Sequence, residues 1–307
     1  HKLHEALELA DRIVVMRGGR TVAEVRPDEV DEPKLAELMV GRPVSLTVDK
    51  TEAEPTDVVL EVDDLSVRDD REHMAVRGVS FAVRSGEIVG IAGVQGNGQS
   101  ELVEALTGLR PPAAGTVHIG GADATDRSPR GVHDMGVAHV PEDRQHMGLI
   151  MGFPVYENIV LDSYHSAPYS GPVQMNWGEA RRAAEELVEQ YDVRTPSIET
   201  TVGSLSGGNQ QKVIVAREFA RDTRLVIASQ PTRGIDVGSI EYIHRRIVEE
   251  RDAGSAVLIV SSELEEVTAL SDRIIVMHAG RIAGEFDAAI ATTTELGMAM
   301  LGSGSGA

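Results

Sequence analysis

The segment Gly93-Val94-Gln95-Gly96-Asn97-Gly98-Gln99-Ser100 follows an apolar strand-like run at 87–92 and opens a helix-like stretch at 99–107. Glycines at such a turn let backbone N–H groups close around an anion, and the helix N-terminus adds a favourable partial charge. An ordinary glycine-rich strand-to-helix turn is the alternative. The spacing is that of a phosphate-binding loop, G-x-x-x-x-G-K-[ST], except that Gln99 stands where lysine belongs. Exchanging that charge-assisted bond for a neutral one costs roughly 1.5–3 kcal/mol. Ser100 keeps a hydroxyl suited to Mg²⁺.

The rest of the pattern alternates apolar runs with amphipathic stretches. Strands are expected near 58–67, 75–84, 87–92, 116–119, 137–140, 224–228, 256–260 and 273–277. Helices are expected near 99–107, 178–192, 207–220, 239–252 and 263–270. This reads as a layered α/β core with a helical insertion at about 150–215. The longest apolar runs, such as Ala256 to Val260, fall far short of the ~20 residues needed to span a bilayer, and no signal peptide precedes the first expected strand. A formal net charge of −20 repels phosphate backbones, which sets nucleic acid aside as a partner. With no cysteine there is no disulfide framework or thiolate metal site, so the cytosol is the default compartment.

Sliding the chain by 261 positions lays its beginning on its end. Leu3, Glu5, Leu9, Asp11, Arg12, Ile13, Val15, Met16, Gly19, Arg20 and Glu24 fall on Leu264, Glu266, Leu270, Asp272, Arg273, Ile274, Val276, Met277, Gly280, Arg281 and Glu285. Leu35, Met39 and Gly41 fall on Leu296, Met300 and Gly302. Residues 1–42 are therefore expected to be the tail of a preceding domain homologous to the complete one. Residues 43–57, rich in Pro, Thr and Glu, have linker composition. The complete domain is expected over 58–301, with a flexible Gly/Ser tail at 302–307.

Three further segments bear on chemistry. Leu205-Ser206-Gly207-Gly208-Asn209-Gln210-Gln211-Lys212 opens the 207–220 helix, where Ser206, Gly207 and Gly208 offer N–H groups and a helix dipole to an anion. Pro141-Glu142-Asp143-Arg144 follows the 137–140 strand; Glu142 reads either as a hard oxygen ligand for Mg²⁺ or as a solvated turn acid, the second being favoured. Ser229-Gln230-Pro231-Thr232-Arg233-Gly234-Ile235-Asp236 follows the 224–228 strand. Phe153, Tyr156 and Tyr164, in a chain with 3% aromatics, form either the rim of a docking groove or a small local core.

In this order the motifs resemble the C-terminal nucleotide-binding domain of a ribose/galactose-type or nucleoside-type ABC importer ATPase, over about four fifths of the chain. The resemblance implies an ABC-type P-loop NTPase core with an antiparallel β edge and a helical subdomain. ATP and Mg²⁺ are the implied ligands, with Gly93, Gly96, Asn97, Gly98, Gln99, Ser100 and Glu142 at the domain's own site. Ser206, Gly207, Gly208 and Gln210 are implied at the site of a facing domain in the same polypeptide. It also implies Asp-Glu at the end of the catalytic strand and a histidine at the end of the next. Here those positions hold Ser229, Gln230 and Ser262, while the 261-residue offset puts His1 at the histidine place of the preceding domain. The usual adenine-stacking aromatic is also missing, with His73 and Met74 nearby. The Gln99 loop, the Ser229-Gln230 strand end and Arg194 to Ser197 resemble the nucleoside branch more than the ribose branch. Further implications are membrane permease subunits, an indirect solute-binding protein and a peripheral place on the cytoplasmic face of the membrane. A non-catalytic nucleotide-gated scaffold, or a soluble ABC protein outside transport, are the other readings.

Overall fold

The computed structural model describes residues 3–44, 48–171 and 174–302; His1 and the tail beyond Gly302 lie outside them. The chain begins with helix α1 (Leu3–Leu9), the hairpin β1 (Ile13–Arg17) and β2 (Arg20–Val25), and helix α2 (Glu32–Val40). A first block follows: β3 (Val58–Arg68), β4 (Met74–Arg84), β5 (Ile88–Ala92), α3 (Gln99–Leu106), β6 (Ala114–Ile119), β7 (Ala122–Asp123), α4 (Pro129–His133) and β8 (Val137–Val140). The helical segment supplies α5 (Val155–Ile159), α6 (Trp177–Gln190) and α7 (Gly207–Phe219). The remainder is β9 (Leu225–Ser229), α8 (Val237–Asp252), β10 (Ala256–Ser261), α9 (Leu264–Leu270), β11 (Arg273–His278), β12 (Arg281–Asp287) and α10 (Thr293–Met300).

The central sheet has the order β12-β11-β5-β10-β9-β8, parallel from β11 to β8 with β12 antiparallel at the edge. Strands β5, β9 and β10 are buried along their whole length, which is why they read as unbroken apolar runs: both faces of a parallel sheet are covered. One face packs against α6, α7 and α8, with Val226, Ala228 and Ile259 pointing into that core. The other packs against α3 and a four-stranded antiparallel sheet of order β4-β3-β6-β7, with Leu225, Ile227 and Leu258 pointing there.

The repeat seen in the sequence is also a repeat of structure. Shifted by 261, α1 covers Leu264–Leu270, the whole of α9. The hairpins share a register, Ile13 opposite Val25 and Ile274 opposite Phe286, and even the bulge, between Val15 and Met16 in one and Val276 and Met277 in the other. Their surroundings differ. Ile275 and Met277 are buried beneath the central sheet's layer, whereas the corresponding Val14 and Met16 are 47% and 64% exposed.

Residues 48–51 of the linker-like segment are tied to the core. Val48 packs against the helical-side core, and Lys50 Nζ donates to Leu270 O at 2.9 Å and pairs with Asp272 at 2.9 Å. Arg251, 1% exposed at its side chain, joins Asp272, Asp252 and the Thr51 carbonyl. Composition alone shows none of these partners. Strand β12 and helix α10 are absent from the sequence-based expectations: β12 buries no residue fully and α10 only Leu296 and Ala299, so neither carries a strong apolar pattern.

Candidate functional site

Strand β5 delivers the chain to the Gly93–Gly98 turn, and α3 leaves it. Gly96 and Gly98 have φ of +90° and +95°. At Gly98 a Cβ would run into the Ala75 carbonyl, so this bend accepts only glycine. Asn97 Oδ1 accepts the Ala279 N–H at 2.9 Å, which pins the loop to the β11–β12 turn. The Gln99 side chain is 9% exposed and folds back so that its amide lies against Gly93. It offers no charge.

Beside the loop, Ser100 Oγ donates to Glu142 Oε2 at 3.1 Å, and Arg233 pairs with Glu142 Oε1 at 2.7 Å. Glu142 is thus no solvated turn acid: the loop after β8 folds back onto the start of α3, and Arg233 arrives from the loop after β9. A hydroxyl and a carboxylate held at hydrogen-bond distance are hard oxygen donors of the kind Mg²⁺ takes beside substrate phosphates. On the other flank, Ser229 is buried at the end of β9. The Gln230 side chain donates to Ser262 Oγ at 3.2 Å and accepts from Ser261 Oγ at 3.4 Å. Gln230 has φ of +47°, a left-handed backbone costing on the order of 1–2 kcal/mol, and its N–H is held by Val260 O at 2.8 Å. A neutral hydrogen-bonded network therefore fills the positions where acid and base were expected. Before β4, the exposed His73 turns to Asp69 at 3.5 Å.

Ser206 caps α7, accepting from Asn209 N at 3.4 Å. Gly208 packs against the start of α8, where a Cβ would meet Ser239 and lie 2.8 Å from Asp236 Oδ2, and Gly207 packs against Arg144 and the Gly234 carbonyl. Their smallness thus has a structural cause as well as any ligand-facing one. Gln210, expected among the nucleotide-contacting residues, is turned inward instead. It is 3% exposed and donates to Val202 O and Leu205 O at 3.3 and 3.2 Å, tying the first turn of α7 to the segment that leads into it.

The three aromatics of the helical segment separate. Tyr156 is buried, edge-on to Trp177 at 6.0 Å with Arg181 over its ring at 4.4 Å, so it belongs to a local core. Tyr164 instead joins exposed Leu109 and Met147 on the rim of a groove of about 300 Å³ between the α/β core and the helical segment; Phe153 is exposed away from it. His133 of α4 crosses this groove to Asp162 at 3.3 Å. That hydrogen bond raises His133 despite burial and the nearby Arg221, and it helps hold Asp162 below its ordinary value although burial pushes the other way.

The groove also contains His139, whose Nε2 is enclosed without a partner. Burial, and secondarily Arg217, lowers it to about 4. The unfolded chain therefore takes up this proton near pH 6.5, well before the folded chain does, so His139 makes stability fall as pH drops through that window. His133, being raised, adds stability as pH falls. For His139 the loss between about pH 7.5 and about pH 5 is on the order of 2 kcal/mol. We expect His139→Phe to remove most of that slope in urea titrations at the two pH values; an unchanged slope would place the acid sensitivity elsewhere.

Comparison with known proteins follows the same lines. A family model described as ABC transporter matches residues 76–233. The nucleoside import ATP-binding protein NupA of Lactococcus lactis subsp. cremoris is 47% identical over 302 residues, covering 98% of this chain and 60% of that protein. The guanosine import ATP-binding protein NupO of Bacillus subtilis is 47% identical over 295 residues, 96% of this chain and 58% of that protein. The ribose import ATP-binding protein RbsA 2 of Rubrobacter xylanophilus is 40% identical over 302 residues, 98% and 57%. The chain thus spans about three fifths of the length of these relatives. Among solved structures, a nucleotide-free ATP-binding cassette superposes with a TM-score of 0.64 at 23% identity, covering 75% of this chain and 92% of that one. A cassette in its ADP conformation gives 0.64 at 22%, covering 80% and 96%.

Proposed function

Because the chain belongs to the ABC transporter family of ATP-binding proteins, we propose that it is an ATP-hydrolysing subunit of an importer for nucleosides or simple sugars, and that its signature segment serves an ATP bound by a facing domain. The observation that carries this reading is an asymmetry. The capped helix α7 begins at Ser206, Gly207 and Gly208, while neutral Gln99, Ser229, Gln230 and Ser262 stand in the chain's own site where lysine, acid, base and histidine were expected. The names of the relatives at 47% identity favour the nucleoside class. The facing domain is proposed to lie in the same polypeptide. The repeated helix–hairpin–helix unit supports this, since residues 3–40 reproduce the edge of a second cassette, with His1 as that cassette's histidine.

At the chain's own site, the Gly93–Ser100 backbone would cradle phosphates, with Ser100 and Glu142 supplying oxygen ligands. Those two residues would hold Mg²⁺, whose chemistry there would be charge neutralisation at the phosphates. Gln230 can orient a water but cannot take its proton. At the facing domain's site, Ser206 and the N-terminal amides of α7 would be aimed at a γ-phosphate, where preorganised donors stabilise the transition state. Closing and opening of the paired cassettes would move a membrane permease. The groove rimmed by Leu109, Met147 and Tyr164 is a suitable seat for a cytoplasmic segment of that permease, and a solute-binding protein would act through the permease. The proposed place is the cytoplasmic face of the membrane, held by the permease. Among the described residues no helix is long and apolar enough to cross a bilayer.

The chain by itself is the first test. It should bind Mg-ATP weakly and hydrolyse it scarcely at all, and Gln99→Lys should tighten nucleotide binding by about tenfold or more, as a regained charge-assisted bond implies. Calorimetric titration and phosphate release measure both. Robust Mg²⁺-dependent turnover abolished by Gln99→Ala would overturn the reading of this site.

A further inference from the structure

The loop after β8, the loop after β9 and the start of α7 come from three distant parts of the sequence, and one side chain reaches all three. Arg144 Nη1 donates to Arg233 O at 2.7 Å, its Nη2 to Gly234 O at 3.3 Å and its Nε to Gln210 Oε1 at 3.4 Å. Gln210 in turn holds the carbonyls of Val202 and Leu205, which lead directly into Ser206. A Cβ at Gly207 would lie 2.8 Å from Arg144 Nη2 and 3.2 Å from Gly234 O, so guanidinium, loop and signature glycine are in contact. The base of this arginine is itself fixed: Asp143 Oδ1 accepts from Gln145 N at 2.9 Å and His146 N at 3.0 Å, which closes the turn that starts at Arg144. Two residues earlier, Glu142 meets Ser100 of the phosphate loop and the side chain of Arg233.

We infer that Arg144 is a positioning residue for the signature: it locks the N-terminal turn of α7 onto the 233–236 loop and holds both in register with the Glu142 carboxylate. A guanidinium suits the task because its rigid fork serves two neighbouring carbonyls and an amide oxygen at once. A lysine ammonium, a point donor on a flexible stem, cannot satisfy all three in that geometry. Gly234, at φ +68°, offers its carbonyl to the same guanidinium as that of Arg233. The functional side of the inference rests on the proposed role of the signature in the facing domain's site; the structural side does not.

Hydrogen exchange on the chain, without nucleotide, tests the structural side. In Arg144→Ala the amides at 204–210 and 233–236 should exchange about tenfold faster or more, the loss expected when hydrogen bonds from a charged group are removed, while α6 and β10 stay as in wild type. Arg144→Lys should fall between the two, and millimolar guanidinium chloride should restore protection to Arg144→Ala. Wild-type protection in those segments, or loosening spread evenly over the chain in both variants, would overturn the assignment. In the complex with the permease, Arg144→Ala should cut ATP turnover at least about tenfold with nucleotide affinity at Gly93–Ser100 unchanged. Local loosening with undiminished turnover would keep the positioning role and instead overturn the proposed part of the signature in hydrolysis.

Discussion

In the proposed two-domain protein assembled with the proposed permease, Gly207→Asp lowers ATP turnover and solute uptake by at least about 100-fold, the scale on which loss of a preorganised donor acts. Gln230→Ala changes turnover by less than about threefold, because a neutral amide has no basicity to lose. Two effects converge at Gly207. The new carboxylate would repel the γ-phosphate proposed to sit at this helix terminus, and it would lie within reach of Arg144 Nη2, 2.8 Å from where its Cβ would stand, and so draw that guanidinium off the Gly234 carbonyl. The Gln230 side chain bonds to Ser261 and Ser262, while its backbone bonds survive the change to alanine. The measurement is steady-state hydrolysis in reconstituted vesicles. Reversed severities would mean that the working site is the one lined by this chain's own loop.

Restoring Gln99→Lys, Ser229→Asp, Gln230→Glu and Ser262→His together adds hydrolysis at the chain's own site by about 10²–10⁴-fold, the usual worth of a general base. The structure makes the restoration plausible without rebuilding. Positions 230 and 262 already share a hydrogen bond of 3.2 Å, so a glutamate and a histidine there would meet, and position 229 ends a fully buried strand beside them. If the neutral site works as a nucleotide-held clamp, the fourfold variant consumes more ATP per solute moved. Tight coupling at or above the wild-type level would show that the lost residues were merely dispensable, and the clamp idea would be abandoned.

What the sequence made legible was local. The strand–loop–helix around Gly93–Ser100 could be read because turn glycines, apolar run and helix spacing are contiguous, and β5, β9 and β10 because both faces of each are covered. The 261-residue repeat was legible because identities in register need no fold to be seen. What stayed hidden depends on partners far away in the chain. Glu142 looks like a turn acid until Arg233, 91 residues on, is placed beside it. Gln210 looks like a ligand contact until the 202–205 segment is placed against the first turn of α7, where the carbonyls of Val202 and Leu205 take its amide. Tyr156 and Tyr164 are eight positions apart, and packing sends one into a core and the other to a groove.

The ties made by Lys50 and Arg251 change where this molecule can be cut. Judged by composition, a minimal fragment would start near Val58, after the Pro/Glu-rich stretch. Such a truncation would strip Lys50 from Asp272, whose other oxygen already serves the Ile88 N–H at the root of the phosphate-loop strand, and would leave the enclosed guanidinium of Arg251 without the Thr51 carbonyl. Asp272 keeps Arg251, so what is lost is hydrogen bonds from charged groups, about 1.5–3 kcal/mol each, a sizeable part of a domain's whole margin. A workable boundary for recombinant pieces, fusions or circular permutants therefore falls before Val48. The Glu52–Asp57 stretch, though it looks like spacer, is enclosed between two anchored ends.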